Sequence, residues 1–343
     1  MNQAQKINIY VPRHIGETLE NDAMLFEIYK TNLTDINKNK FLNLLIKNYY
    51  ELYQSENKQK YENILSAIDS KKISSKERTK IAKTIFNKLF VPSIPGRGKN
   101  KTTKLSLKTT INSQLTIDEI MKDIGFEYHI SQYFSRMLYC YCEKPIFERE
   151  KIIFQDNYEL LERCCKEKKT IVFNTTWNTN CSHKVIPYKI VTGPEEMHNY
   201  LLCAEISPDN KQLEKSYCLN RINKLECKRT KIDIDETVLN HLKMMEQQGP
   251  AYSIHEETEY CIFLTEAGRV NYNKIYYGRP KYSKKEPTEN GYYYYFNCSE
   301  DQLFLYFRRF GCDATIISPS SLKERIVDFH SNAYHVYIQT EKS

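Results

Sequence analysis

The sequence predicts a multidomain α+β protein. Three observations carry this. Residues 6–53 read as one strand followed by two helices. From residue 170 the texture turns to short strands separated by polar turns. After 236, strands and helices mix to the end of the chain. A length of 343 residues fits two or three domains, and 41% apolar residues suffice for real cores. The expected divisions are 1–55, a helical connector at 56–169, a small barrel at 170–235 and an α+β unit at 236–343.

The first element is KINIYV, at 6–11. Ile7, Ile9 and Val11 alternate with Lys6, Asn8 and Tyr10, the pattern of a half-buried strand that Pro12 ends. The period then becomes helical through Ile15, Leu19, Ala23 and Phe26, and again from about Asn37 to Tyr53. Nothing up to Tyr53 offers the strand a partner, and an unpaired strand leaves its backbone groups exposed. The economical partner is the same strand of a second copy, paired into a ribbon under four helices. Lys6, Asn8 and Tyr10 then face outward. Lys38, Asn39 and Lys40 open the second helix, where free backbone N–H groups suit a phosphate.

INIYVP, IGETLENDAMLFEIY and NKNKFLNLLIKNYYELY resemble the ribbon-helix-helix module. That resemblance implies a dimer whose ribbon reads the DNA major groove. Tyr10 is an aromatic among the outward residues, which points instead to stacking on an unpaired base. A ribbon serving dimerisation alone is the plain alternative.

Charge is unevenly placed. Residues 71–108 hold twelve Lys or Arg against one acid, Glu77, so a +11 block sits in a chain of net charge +7. Such a block draws a polyanion by releasing its counterions, although a solvated basic surface looks the same in sequence. Within it, PSIPGRGKNKTTK is a turn-rich loop that presents Arg97, Lys99 and Lys101. Its glycines lack P-loop spacing. Residues 54–90 read as two helices, with Ser74 or Ser75 a cap for the second, KLSLKT as a strand, and the remainder up to about Lys169 as helices.

In the β-rich stretch, TIVFNTT, KVIPYKIVTG, HNYLLCAEIS, KSYCLNRINKLECK and TKIDI read as five short strands, the pattern of a small barrel. A helix is expected at about 237–247. EYCIFLTEAGRVNYNKI, GRPKYSK and GYYYYFNCS read as strands, QLFLYFRRFG as a helix, DATIISP as a strand, and the chain closes on a long helix. The YYYY run is expected to pack on both faces, with an exposed, base-stacking pair as the alternative.

HKVIPYKIVTGPEEMHNYLLCAEI, SYCLNRI and DATIISPSSLKERI resemble the WYL-domain family and the C-terminal extension that often follows it. The resemblance implies an Sm-like, SH3-type barrel with a ligand pocket formed by His183, Tyr188, Tyr200, Leu201 and Arg221. Asn199 stands in the Trp position and Asn220 in that of the acid before Arg221. This leaves Arg221 less neutralised and favours an anion. Each residue also has a plain reading, as core packing or as a structural hydrogen bond.

No HExxH, GxSxG or metal-spaced Cys/His set occurs among the residues, and His255-Glu256-Glu257 reads as a turn. No enzyme activity, cofactor or metal is expected. The eleven scattered cysteines, the lack of a signal-like start and the lack of an eighteen-residue apolar run point to a cytoplasmic protein that does not enter a membrane. The combination of modules resembles the WYL accessory proteins of type VI-D CRISPR systems. It implies a homodimer that binds single-stranded RNA and enhances an RNA-guided RNA nuclease. A dimeric, ligand-responsive transcription regulator on duplex DNA is the alternative.

Overall fold

The computed structural model describes residues 6–31, 34–68, 73–91, 102–124, 129–176, 181–193, 197–250 and 258–340. Arg97, Lys99, Lys101 and the His255-Glu256-Glu257 turn lie outside these residues. The chain forms two compact units, 1–155 and 156–343. The first takes in both the opening segment and most of what the sequence separates as a connector.

In the first unit, β1 (Lys6–Pro12) runs directly into α1 (Arg13–Leu25), and α2 (Lys38–Ala67) follows. Helix α2 does not stop at Tyr53. No Gly or Pro lies between Tyr53 and Ala67, so the polar QSENKQK turns continue it, with Gln54 donating to the Tyr133 hydroxyl and Glu56 pairing with Lys144. Then come α3 (Ser75–Phe90), β2 (Thr102–Lys108), α4 (Ile111–Ile124), α5 (Ile130–Cys142) and α6 (Ile146–Ile153). Of the two expected caps, Ser74 and not Ser75 caps α3, and Glu77 completes a reciprocal capping box with it.

The partner of β1 corrects the expectation of a second copy. It is β2 of the same chain, antiparallel and in register from Lys6 opposite Lys108 to Pro12 opposite Thr102. Each strand is followed by two helices, α1 and α2 after β1, α4 and α5 after β2. The second helix of each half holds the strand of the other. From α5, Ser135 Oγ donates to the Tyr10 carbonyl at 2.6 Å. From α2, Asn43 Nδ2 donates to the Lys108 carbonyl at 3.0 Å. One chain thus supplies both halves of an interlocked strand-helix-helix pair. Ile7, Ile9, Val11 and Leu107 point inward onto Phe41, Leu45, Phe134 and Leu138 in a single core. Burial of such side chains, worth about 1.5–3 kcal/mol each, is what the short elements need from one another.

The second unit begins with α7 (Gln155–Glu167) and five strands, β3 (Ile171–Thr175), β4 (Ser182–Thr192), β5 (Asn199–Ile206), β6 (Gln212–Cys218) and β7 (Ile222–Cys227). Their order is β6-β5-β4-β3-β7, all antiparallel. The two edge strands are consecutive in sequence, joined by one 3-10 turn, Leu219–Arg221. Four strand spacings cover about 19 Å in a flat sheet, while the connection reaches at most about 14 Å. The sheet therefore curls enough to bring the joined ends of its two edge strands together, in the manner of an open barrel, while β6 and β7 form no ladder among the described residues. The sequence reading takes 215–228 as one strand and TKIDI as the fifth. The 3-10 turn splits the former into β6 and β7, and TKIDI forms no strand.

Helix α8 (Glu236–Gln248) lays Val238, Leu242 and Met245 against Ile186, Leu202 and Ala204 of this sheet. Then follow β8 (Tyr260–Leu264), α9 (Glu266–Lys274), β9 (Tyr282–Thr288), β10 (Gly291–Phe296), α10 (Glu300–Phe307), β11 (Ala314–Ser318) and α11 (Ser320–Thr340). The four strands form an antiparallel sheet in the order β11-β8-β10-β9. The expected strand at 259–275 is a strand and a helix, because Thr265 accepts from Gly268 N and caps α9. Pro287 lies in β9, an edge strand, where its missing N–H costs no ladder bond. Central β10 buries Tyr294 and leaves Tyr292, Tyr293 and Tyr295 half-buried. Among the described residues no helix is long and apolar enough to cross a membrane.

Candidate nucleic-acid interface

Pairing β1 with β2 makes one two-stranded ribbon with an apolar inner face and a polar outer one. The alternation of each strand decides this. Outward stand Lys6, Asn8 and Tyr10, as expected. Directly opposite them stand Lys108, Ser106 and Lys104 of β2, whose two lysines belong to the basic block of 71–108 but are not placed on the ribbon by the sequence. Their signal is present in the sequence, since KLSLK alternates as KINIY does. What is missing from the sequence is the pairing of the two strands.

Lys6 faces Lys108 across the ladder. Like charges in that position destabilise a strand pair unless an anion lies between them. None of Lys6, Lys104 and Lys108 forms an ion pair among the described residues. The outer face therefore offers three uncompensated ammonium groups and the exposed Ser106, with Tyr10 and Asn8 half-buried between them and the Asn8 Oδ1 turned inward.

The residues at the start of α2 divide. Asn37 caps the helix, its side chain accepting from Lys40 N at 3.0 Å. Lys40 is exposed. Lys38 pairs with Glu20 at 2.8 Å. Asn39 does not face a phosphate as expected: its Oδ1 accepts from Lys108 N at 2.8 Å and its Nδ2 donates to Lys108 O at 3.1 Å. This closes the end of β2 as another strand would. Asn43, one turn on, is buried. It donates to Lys108 O and Asn39 O and accepts from Thr110 N and Ser113 Oγ. Replacing Asn43 with Ala strips four partners, three of them backbone groups. An expected loss of about 2–4 kcal/mol follows, read as faster hydrogen exchange at the β2 amides than in the second unit.

The barrel residues are not gathered into one pocket. Tyr200 and Leu201 are neighbours on β5 and so point to opposite faces. Tyr200 shares the side of Leu202 and Ala204, against α8, while Leu201 stands opposite Tyr217. His183 is held by Glu205 at 2.6 Å and by the Tyr217 hydroxyl at 3.1 Å, and it stacks on Phe173. Burial drives the Tyr217 hydroxyl well above the usual tyrosine range, so it stays protonated in this cluster. Arg221 lies exposed on the 3-10 turn, with its carbonyl accepting from Thr176 N. Tyr188 lines a cavity of about 390 Å³ with Ile186, Ile234, Lys168 and Lys243, and its hydroxyl donates to Glu246. Among the described residues no group of His, Cys, Asp and Glu is placed to hold a metal.

The fold and this surface define a mixed α/β chain of several modules with a basic, strand-borne face. The chain is similar to a protein described as a CRISPR Cas-related protein, known from its crystal structure. The two share 20% identity and superpose with a TM-score of 0.73 over 99% of this chain and 96% of the other. The likeness extends through both units, and at that identity it shows the fold. Proteasome accessory factor B/C of Arthrobacter aurescens is a far looser neighbour, at 12% identity and a TM-score of 0.27 over 77% of this chain and 44% of the other. No family model and no curated protein matches the sequence.

Proposed function

We propose that this chain is a non-enzymatic regulatory protein of a CRISPR system that binds nucleic acid through the outer face of its ribbon. Single-stranded RNA is the favoured ligand. The observation that carries this is the set Lys6, Tyr10, Lys104 and Lys108, three cations without a carboxylate partner beside an outward aromatic. Lysines supply phosphate attraction and a tyrosine ring supplies a sequence-tolerant surface for an unpaired base. The in-chain strand-helix-helix pair supports a ribbon-helix-helix reading of the first unit, and the curled five-stranded sheet supports a WYL-type reading of the barrel. The shared fold supports the CRISPR context and, with the sequence resemblance, a type VI-D accessory. There it acts as a cytoplasmic homodimer that raises target RNA near an RNA-guided RNA nuclease. Exposed Phe329, Tyr334 and Val336 on α11 support a second copy docking on the C-terminal segment.

Duplex DNA is the second reading, favoured by the ribbon itself. Two paired strands fit a major groove, and here the ribbon needs no second chain to form. A titration of labelled single-stranded RNA, single-stranded DNA and duplex DNA at several salt concentrations separates the two. Tightest binding to RNA, with log K falling about 0.7 per phosphate contact against log salt, is the expected result. Sequence-specific duplex binding makes the chain a transcription regulator, and absence of salt-dependent binding removes both readings.

A further inference from the structure

The second unit carries a surface that the ribbon does not explain. Residues 267–285 hold six Lys or Arg and four Tyr without a single acid. The strands expected at 259–275 and 278–284 leave Tyr276 and Tyr277 between them. The structure instead makes 275–281 a loop between α9 and β9. Tyr276 is 77% exposed and Tyr277 60%. The Arg279 guanidinium lies over the Tyr276 ring, 4.3 Å from its centroid.

The loop is held in place from below. Tyr306 Oη donates to the Ile275 carbonyl at 2.9 Å, and Tyr272 Oη donates to the Pro280 carbonyl at 2.6 Å. Arg309 donates to the Tyr277 carbonyl at 2.9 Å and Lys281 to the Gln247 carbonyl at 2.8 Å. Gly278, at φ +67°, takes a left-handed conformation that a side chain would strain. These are bonds to neutral carbonyls, so they fix the cations without cancelling their charge. Lys274, Arg279, Lys281 and Arg309 form no ion pair among the described residues, whereas Arg269 and Lys284 on either side do.

We propose that the Ile275–Lys281 loop is a second single-stranded nucleic-acid contact, in which Tyr276 and Tyr277 stack on bases and Arg279, Lys281 and Lys274 hold the phosphates. A rigid loop that displays two rings in water beside uncompensated cations matches a ligand with flat faces and a charged backbone. The rings lose little freedom on binding because the loop is already set. The inference rests on the nucleic-acid reading above for its ligand, but not on the ribbon.

The test uses the full chain, a labelled U-rich RNA and an abasic strand of equal length. Tyr276→Ala with Tyr277→Ala is expected to weaken RNA binding ~10-fold or more while leaving the abasic strand and the salt slope unchanged. Tyr276→Phe with Tyr277→Phe is expected to bind as the native chain does. Arg279→Gln with Lys281→Gln is expected to lower the salt slope by roughly 1. Lys6→Gln, Lys104→Gln and Lys108→Gln together serve as the ribbon control. If the alanine pair binds RNA like the native chain while the ribbon control loses it, the loop proposal is overturned and the ribbon reading stands. If the loop variants lose binding and the ribbon control keeps it, the loop stands and the ribbon reading fails. If the native chain binds no single strand, the loop proposal is overturned as well.

Discussion

Arg149→Met is expected to destabilise the first unit by about 3–5 kcal/mol at pH 7.5, because it leaves a buried carboxylate without its cation. Arg149 on α6 meets Asp22 on α1 at 3.2 Å, with side chains 9% and 3% exposed. It also donates to the Cys142 carbonyl at 3.2 Å. Burial raises Asp22 to about 6, and Arg149 opposes that rise without cancelling it. The sign follows from linkage. A carboxyl raised above its unfolded value favours the folded state when protonated, so this contribution is full below about pH 4 and is lost as pH climbs through about 6. Without Arg149 the carboxyl rises further. The penalty should shrink when the variant is moved from pH 7.5 to pH 5, leaving mainly lost packing. Urea unfolding of native and variant chains at the two pH values checks this. An equal penalty at both would mean that Asp22 is not the source.

The triple change of Lys6, Lys104 and Lys108 to Gln is expected to lower the salt slope for single-stranded RNA by about 2 and to weaken binding ~10- to 100-fold at low salt. Stability should hold or rise slightly. Lys6 and Lys108 lie directly opposed, so their removal relieves a like-charge pair. Anisotropy titrations at four salt concentrations, beside a thermal melt, separate the effects. A slope that stays at the native value would place the phosphate contacts elsewhere. Lys38→Gln is the useful contrast, since Lys38 is already engaged by Glu20 and should change the slope little.

What the sequence makes legible here is local. Both ribbon strands, the cap at Ser74, α8, α10 and α11 follow from period and capping chemistry. Pairing is not local: Lys6 and Lys108 are about a hundred residues apart, and no residue type in KINIYV names KLSLK as its complement. Without that pairing, half of the outer face stayed hidden, and a second copy looked necessary. Asn39 shows the same limit, for an asparagine at a helix start reads as an anion site until a strand end arrives to claim it. In the barrel, the SPDNK turn announces itself, but Leu219-Asn220-Arg221 turns the chain with neither Gly nor Pro. The pocket residues failed to converge because a strand alternates: any pocket that takes both Tyr200 and Leu201 must reach two faces at once. Tyr276 and Tyr277 fall between the expected strands at 259–275 and 278–284, and a two-residue gap carries no signal of exposure until the cap at Thr265 turns the first strand's end into a helix.

The central claim is that the outer face of the in-chain ribbon touches nucleic acid. The most direct measurement places a photoreactive phenylalanine analogue at Tyr10 and, separately, at Tyr334, which is 63% exposed on α11. Each full chain is irradiated with bound, labelled single-stranded RNA. Crosslinking from position 10, abolished by competitor RNA and absent from position 334, is the predicted result. Retained RNA binding with no crosslink from position 10 would contradict it.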